Sequence, residues 1–333
     1  MAGFGHVGQR FCRLLQEQAA QLAQNYHCQI LLTGVCTRSR GPLLQPNGLD
    51  LTQILTSPWQ QLPGWRSGNV LDMIACAQAD IFLELTTLDI KKGQPATDHI
   101  QAAFNHNMHV VTANKGPLAW HFKELSRQAQ QKQLAFYYET TVMDGAPIFN
   151  LAANCLPGDH VCAIRGILNG TSNFVLHRLA AGDTLAEAIR QAQAIELAEA
   201  DPSMDIDGYD AAAKICALAN VLMQANQTPQ DVQIEGIRHI SAAQLAQAKE
   251  DGYCLKPIAS ATKAADGSVQ LRVTPQRIAK DDWLAHIDAT SAALELSCQL
   301  CGNIAIVQRD PAILQTAYGV YSDMLQVISH HIL

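Results

Sequence analysis

Three stretches of this 333-residue chain carry side chains whose type and spacing suit chemistry. The first is Gly3-Phe4-Gly5-His6-Val7-Gly8, a G-x-G-x-x-G pattern. Glycines at that spacing allow a tight turn and a close approach of backbone to a pyrophosphate, which the amides and dipole of the following helix hold. The second is Lys115 in "HVVTANKGPLA", at the end of a short apolar run that reads as a strand. Open α/β sheets bind ligands at that edge. The third is Asp210 with Lys214, four residues apart in a helical stretch. That spacing sets carboxylate and ammonium on one face, where they orient one another; the plain alternative is a surface ion pair worth about 0.3–0.5 kcal/mol. Cys298-Gln-Leu-Cys301 is the one C-x-x-C. Without a second pair or a His cluster nearby, it reads as a strand with core thiols rather than a zinc or redox site.

These residues need elements to hold them. After the fingerprint, Phe11, Leu14, Leu15, Ala19 and Leu22 recur at spacings of three and four, the mark of an amphipathic helix. "CQILLTGVCT", "ADIFLELT", "MHVVTAN" and "LAFYYETT" read as strands alternating with helical stretches. The βαβα order argues for a parallel sheet covered by helices. The pattern changes near residue 140. "VCAIRGILNG" reads as a strand, residues 185–223 as two long helices interrupted at "EADPSMDIDG", and "GYCLKPIASATK" and "GSVQLRVTP" as further strands. A mixed α+β second domain is expected, and "ILQTAYGVYSDMLQVI" closes the chain as a helix with Ala317, Val320, Tyr321, Met324 and Ile328 on one side. The expected division is 1–138, 139–308 and 309–333, the last a helix packing back on the first domain.

Composition narrows the partners. A net charge of −7 with no basic block lacks the footprint expected for duplex nucleic acid. No apolar run approaches the roughly 20 residues that span a bilayer, and the N-terminus has no secretory signal pattern. Ten scattered cysteines fit free thiols in a reducing compartment. The expectation is a cytoplasmic protein with a small-molecule substrate, and neither nucleic acid nor a membrane as partner.

The residues after the second strand-like run bear on which dinucleotide fits. A carboxylate there would accept from the 2′-hydroxyl of NAD, whereas arginine suits the added phosphate of NADP. This chain offers Arg38 and Arg40. NADP is therefore favoured, with NAD as the alternative; the competing reading is two solvated loop charges.

The ordered motifs "GFGHVG", "LELTTLDIKKGQPA", "HVVTANKGPLA", "YYETTV", "GILNGTSNF", "AEADPSMDIDGYDAAAK" and "TAYGVYSDML" cover nearly the whole chain. On these the sequence resembles homoserine dehydrogenase, in its short form without a regulatory domain. The resemblance implies a Rossmann-type α/β domain plus a mixed α+β catalytic and dimerisation domain, a homodimer, and interconversion of L-homoserine and L-aspartate 4-semialdehyde on the route to threonine and methionine. It makes Lys214 the first choice as proton donor in reduction and Lys115 the second catalytic lysine. It places Glu199, Asp205, Asp210, Gly170 and Thr171 around the substrate, and Gly3, Phe4, Gly5, His6, Val7, Gly8, Arg38, Arg40, Thr86 and Lys115 around the cofactor. It also makes "YYETTVMDGA" a binding segment for a monovalent cation such as sodium, with Glu139, Val142, Asp144 and Ala146 as ligands.

Three departures stand out. Only Met1 and Ala2 precede the fingerprint, so the first strand is expected to be shortened or missing, and the natural protein to continue upstream. Glu196 stands where the family carries glycine, and Leu197 where it carries an aromatic residue. "VQRDPA" replaces a glycine-rich turn before the last helix. A dehydrogenase with a reshaped cofactor pocket is the leading expectation; a non-catalytic homologue that binds a dinucleotide or a partner is the alternative.

Overall fold

The computed structural model describes residues 1–332. The chain divides into two compact units, one of residues 1–117, 121–147 and the segment from Ala312 onward, the other of residues 118–120 and 148–311. In chain order the elements up to residue 147 are α1 (His6–Tyr26), β1 (Gly34–Thr37), β2 (Gly41–Leu44), α2 (Leu51–Thr56), α3 (Val70–Cys76), β3 (Ile81–Glu84), α4 (Ala96–Asn105), β4 (His109–Thr112), α5 (Lys115–Gln131) and β5 (Phe136–Tyr137). There follow α6 (Ile148–Cys155), β6 (Val161–Ile167), α7 (Gly170–Ala180), α8 (Leu185–Ala194), α9 (Ser203–Ile206), α10 (Tyr209–Leu222), β7 (Gln233–Ile234), α11 (Ala242–Glu250), β8 (Tyr253–Lys263), β9 (Val269–Ala279), β10 (Ala292–Cys298) and β11 (Gly302–Gln308). The last helix is α12 (Ile313–Val327).

In the first unit β3, β4 and β5 run parallel, with Ile81 opposite His109 and Val110 opposite Phe136. β1 and β2 form an antiparallel hairpin. The two pieces are joined by the first residues of the chain: Ala2 bridges in parallel to both Cys36 and Glu84. Ala2 N–H donates to Leu83 O at 2.8 Å, Gly3 N–H to Cys36 O at 2.9 Å, and Cys36 N–H to Met1 O at 3.0 Å. The shortened first strand is thus present as a fragment in the central position. The terminal amine of Met1, wholly buried, donates to Gly34 O at 2.8 Å.

Strand alternation sorts side chains onto two cores, because successive residues face opposite sides of a sheet. Leu83 and Val111 join Phe11, Leu15, Val320 and Met324 on one face, whereas Phe82 and Val110 join Ile100, Phe104 and Leu125 on the other. α12 therefore covers the same sheet face as α1, and its buried Ala317, Val320, Tyr321 and Met324 fall at the spacing read from sequence. The run from residue 28 forms a strand only from Gly34 onward. α3 begins with a capping box in which Asn69 and Asp72 satisfy each other's amides, an arrangement worth about 1 kcal/mol.

The second unit holds a six-stranded sheet in the order β11-β10-β6-β8-β9-β7. It is antiparallel except for the β7–β9 pair. Val175, Leu176, Leu179, Ala188 and Leu245 from α7, α8 and α11 form a satellite core. The two helices expected over 185–223 are α8 and α10, with the short α9 inside the interruption. In the C-x-x-C, Cys298 ends β10 and is buried while Cys301 sits exposed in the following turn, so only one of the two thiols faces the interior. All ten cysteines are free thiols. No helix among the described residues is long and apolar enough to cross a membrane.

Candidate active site

The glycine pattern forms the turn from the strand fragment into α1. Gly3 takes φ +91°, and a Cβ on it would lie 2.3 Å from Leu85 O, so side chains are excluded there. At Gly5 a Cβ would meet nothing within 4 Å. Space beside that backbone, together with the absence of a side-chain cap on Gly5, leaves the first turn of α1, with His6, Val7 and Gly8, open to an anion. Gly8 approaches Gly3 closely: a Cβ there would lie 3.0 Å from Gly3 O.

A cavity of about 950 Å³ opens over this turn. Gly3, Phe4, Gly5, Arg38, Arg40 and Thr86 are among its lining residues. The Arg40 guanidinium carbon lies 5.1 Å from the Trp59 ring centroid and 5.9 Å from that of Phe4. Stacking of that kind is worth about 0.5–1 kcal/mol at an exposed site and holds the guanidinium in one orientation. Both arginines read from sequence therefore line the cavity, together with the glycine turn.

Beside Gly3 in the cavity wall, Thr86 is held by a residue that the sequence reading passed over. Glu84, the last residue of β3, has no solvent exposure. One carboxylate oxygen accepts the Thr86 amide at 2.9 Å and the Thr86 hydroxyl, and the other lies 2.9 Å from His99 Nδ1. His99 is itself buried and lines the cavity. The available signal was a carboxylate ending an apolar strand in "IFLEL". Asn114 caps α5 by accepting the Gly116 amide at 3.0 Å, and its Nδ2 donates to Thr86 O at 3.1 Å. Lys115 is thereby fixed as the first residue of α5, just beyond the C-terminal end of β4 and next to the Thr86 loop.

The second unit gathers the other charged residues. Lys214 Nζ lies 3.2 Å from Asp210 Oδ2, one helical turn earlier on α10, and donates to Leu168 O at 2.8 Å. Asn169 Nδ2 donates to Asp205 Oδ1 at 2.7 Å and to Asp210 Oδ2 at 3.0 Å. Its own Oδ1 caps α7 by accepting the Ser172 amide at 2.8 Å. Asn169 was quoted within "GILNGTSNF" but not singled out; its cue was an asparagine at a strand-to-helix junction, the preferred N-cap. Burial raises the Asp205 carboxyl above its ordinary value and Asp210 adds to this, while Asn169 and Lys214 pull it back.

Thr171, on the first turn of α7, donates to Leu197 O at 3.0 Å, and Gly170 precedes it as the first helical residue. The structure thus brings together Asp205, Asp210 and Lys214, with Gly170 and Thr171 adjoining through α7. Glu199 is exposed, two residues after the Leu197 carbonyl that Thr171 holds, and its own carbonyl accepts from Gln193 Nε2 at 3.1 Å.

Both departures from the family's glycines sit on unusual backbone. Glu196 takes φ +58° and Asp310 φ +43°, the left-handed region that glycine enters without penalty. Glu196 is exposed. Asp310 accepts a hydrogen bond from the Thr290 hydroxyl, the local bonding that lets aspartate visit this region.

Glu139, Val142, Asp144 and Ala146 lie on the turn after β5. The Glu139 amide donates to the buried Asp323 of α12 at 2.8 Å, and Asp144 accepts from the Thr316 hydroxyl at 2.6 Å. The Ala146 amide closes the turn onto Met143 O at 2.8 Å. α12 therefore fixes this turn at two points. No group of three His, Cys, Asp or Glu side chains among the described residues is arranged to hold a metal ion.

Comparison with known proteins identifies the family. Residues 147–325 match the family model described as homoserine dehydrogenase, and residues 3–139 that described as homoserine dehydrogenase, NAD binding domain. The chain is 35% identical to the NAD(+)-dependent homoserine dehydrogenase of Pseudomonas canavaninivorans, over 98% of this chain and 95% of the relative. It is 34% identical to the homoserine dehydrogenase of Methanocaldococcus jannaschii, over 98% of this chain and 97% of the relative. A solved homoserine dehydrogenase from Thiobacillus denitrificans superposes with a TM-score of 0.84 at 27% identity, covering 100% of this chain and 74% of that one. With two family models spanning both units and such relatives along nearly its full length, the chain belongs to the homoserine dehydrogenase family of oxidoreductases.

Proposed function

We propose that this protein interconverts L-homoserine and L-aspartate 4-semialdehyde, with Lys214 as the proton donor in reduction. The observation that carries this reading is the cluster on α10, where Lys214 is paired with Asp210 and linked through Asn169 to Asp205. A bound nicotinamide supplies or takes up the hydride. As the aldehyde carbon is reduced, its oxygen gains negative charge and needs a proton. The Lys214 ammonium, held by Asp210 and Leu168 O, stabilises that charge and delivers the proton from Nζ. In oxidation the neutral amine takes the proton back. Asp205 and Asp210 suit the substrate's α-ammonium, with Glu199 as a further acid brought by resemblance, and Gly170 and Thr171 complete the substrate-facing turn. Lys115, at the start of α5 beside the Thr86 loop, is the second catalytic lysine.

For the cofactor we favour NADP. Arg38 and Arg40 line the cavity, and arginine forks suit the 2′-phosphate, although the Pseudomonas relative is named for NAD(+). Gly3, Gly5 and the first turn of α1 at His6, Val7 and Gly8 would hold the pyrophosphate, with Phe4 and Thr86 lining the path. A monovalent cation such as sodium is proposed at Glu139, Val142, Asp144 and Ala146, since main-chain and acid oxygens are the donors a hard cation takes. Pairing with a second copy through the second unit, and action in the cytoplasm, where ten free thiols stay reduced, complete the reading.

The test is reduction of aspartate semialdehyde by the purified protein with NADPH and NADH. Lys214→Ala is expected to lower kcat by about 10²–10⁴-fold, the usual contribution of a positioned acid, while leaving dinucleotide binding unchanged. A Lys214→Ala protein that turns over at the parent rate removes Lys214 from this role.

A further inference from the structure

The mechanism makes no use of His99, yet this residue lines the cavity over the glycine turn with a side chain only 8% exposed. It sits on the first turn of α4, where its amide bonds to Pro95 O at 3.1 Å. Nδ1 lies 2.9 Å from one Glu84 carboxylate oxygen, while the other oxygen takes the amide and hydroxyl of Thr86. A carboxylate held by donors on both oxygens only accepts, so Nδ1 carries the proton in that bond. The neutral ring then presents Nε2 as an acceptor. Among the described residues Nε2 has no hydrogen-bond partner, yet it is not sealed from solvent-accessible space. Because the ring lines the cavity, that opening is onto the cavity.

The rest of the lining decides which half of a dinucleotide this acceptor meets. Arg38 and Arg40 follow β1 and Thr86 follows β3, with the glycine turn of the chain start between those two strands. With the pyrophosphate on the turn and the adenosine 2′-phosphate at the arginines, the base on that same ribose falls within this cavity. Neither Asn114 nor Lys115 is among its described lining residues, so the nicotinamide, which must meet Lys115, lies outside it. Val70, Leu71, Leu88 and Pro95 add apolar surface to the lining, which suits the faces of a flat ring. Adenine carries a single donor group on its edge, the 6-amino group. An acceptor among apolar side chains selects that group.

We propose that His99 Nε2 reads the adenine of the dinucleotide by accepting a hydrogen bond from its 6-amino group. Glu84 is then the positioning residue that sets the tautomer, because it holds the proton on Nδ1. The assignment rests on the dehydrogenase reading in taking a dinucleotide as the occupant of the cavity. Hypoxanthine puts an oxygen where adenine has the amine, so that two acceptors face each other and both lose their bond.

The probes are NADPH and NADH, each beside its hypoxanthine analogue, with adenosine 2′,5′-bisphosphate and nicotinamide mononucleotide as the separate halves. The unaltered protein is expected to bind the hypoxanthine analogue at least about tenfold more weakly than the adenine cofactor, the cost of an unmade buried bond. His99→Phe is expected to bind the two within about twofold of each other. In nitrogen NMR spectra of the unaltered protein, His99 Nε2 is expected to shift with adenosine 2′,5′-bisphosphate and to stay in place with nicotinamide mononucleotide, a readout that does not depend on whether His99→Phe folds. Equal affinity of the unaltered protein for adenine and hypoxanthine cofactors overturns the proposal. So does a His99→Phe protein that keeps the preference, or an Nε2 resonance that answers to the nicotinamide half instead. The two readings fail separately: turnover with equal KM for both bases removes the base assignment alone, whereas a tenfold preference without turnover of aspartate semialdehyde removes the dehydrogenase assignment alone.

Discussion

Asn169 Nδ2 lies 2.7 Å from Asp205 Oδ1, and the same nitrogen reaches Asp210 Oδ2 at 3.0 Å. One amide thus bridges two carboxylates that would otherwise repel each other, and it does so from the residue that caps α7. Asn169→Ala removes the bridge. Hydrogen bonds to charged groups are worth about 1.5–3 kcal/mol, so kcat/KM for homoserine is expected to fall by about 10–100-fold, checked by steady-state kinetics. An unchanged kcat/KM would show that the two acids do not need the bridge.

Glu84 does for the cavity over the glycine turn what Asn169 does for the acids. Its buried carboxylate holds the amide and hydroxyl of Thr86 and faces His99. Glu84→Ala leaves those groups buried without an acceptor, at a cost of about 1–3 kcal/mol. Dinucleotide affinity, followed by cofactor fluorescence, is expected to weaken by about tenfold or more. Glu84→Gln keeps one acceptor oxygen and is expected to fall between the two. Equal affinity in all three proteins would separate Thr86 from cofactor binding.

Glu196 and Asp310 separate strain from function. A left-handed conformation costs a residue with a Cβ about 1–2 kcal/mol, so Glu196→Gly is expected to stabilise the protein by about 1 kcal/mol. Asp310→Gly is expected to be near neutral, because it also gives up the bond from Thr290. Thermal denaturation of both variants checks the difference. Stabilisation at Asp310 equal to that at Glu196 would show that the Thr290 bond contributes nothing.

Much of the nucleotide-binding unit was legible in sequence because its rules are local. Gly3 and Gly5 are dictated by backbone geometry, β3 and β4 by short apolar runs, and α12 by spacings of three and four that the core then buries. Lys115 and Lys214 were readable because a strand end and an i,i+4 pair fix where a side chain stands. Asn169, Glu84 and His99 were not. Each is polar and buried, and its importance comes from partners 15 to 41 residues away, which no local pattern encodes. The strand expected from residue 28 failed for a related reason. Residues 28–33 are apolar enough for a strand, but a strand is defined by its neighbour, and the pairing with β2 begins at Gly34.

The placement of α12 bears on how the polypeptide is made. Phe11 and Leu15 find their partners in Val320 and Met324, some three hundred positions later in synthesis. During translation the apolar face of α1 and the sheet therefore waits partly uncovered until α12 has been made. Early-made elements that depend on late-made segments are open to aggregation and to chaperone capture during that interval, so a segment translated late governs the survival of one translated early.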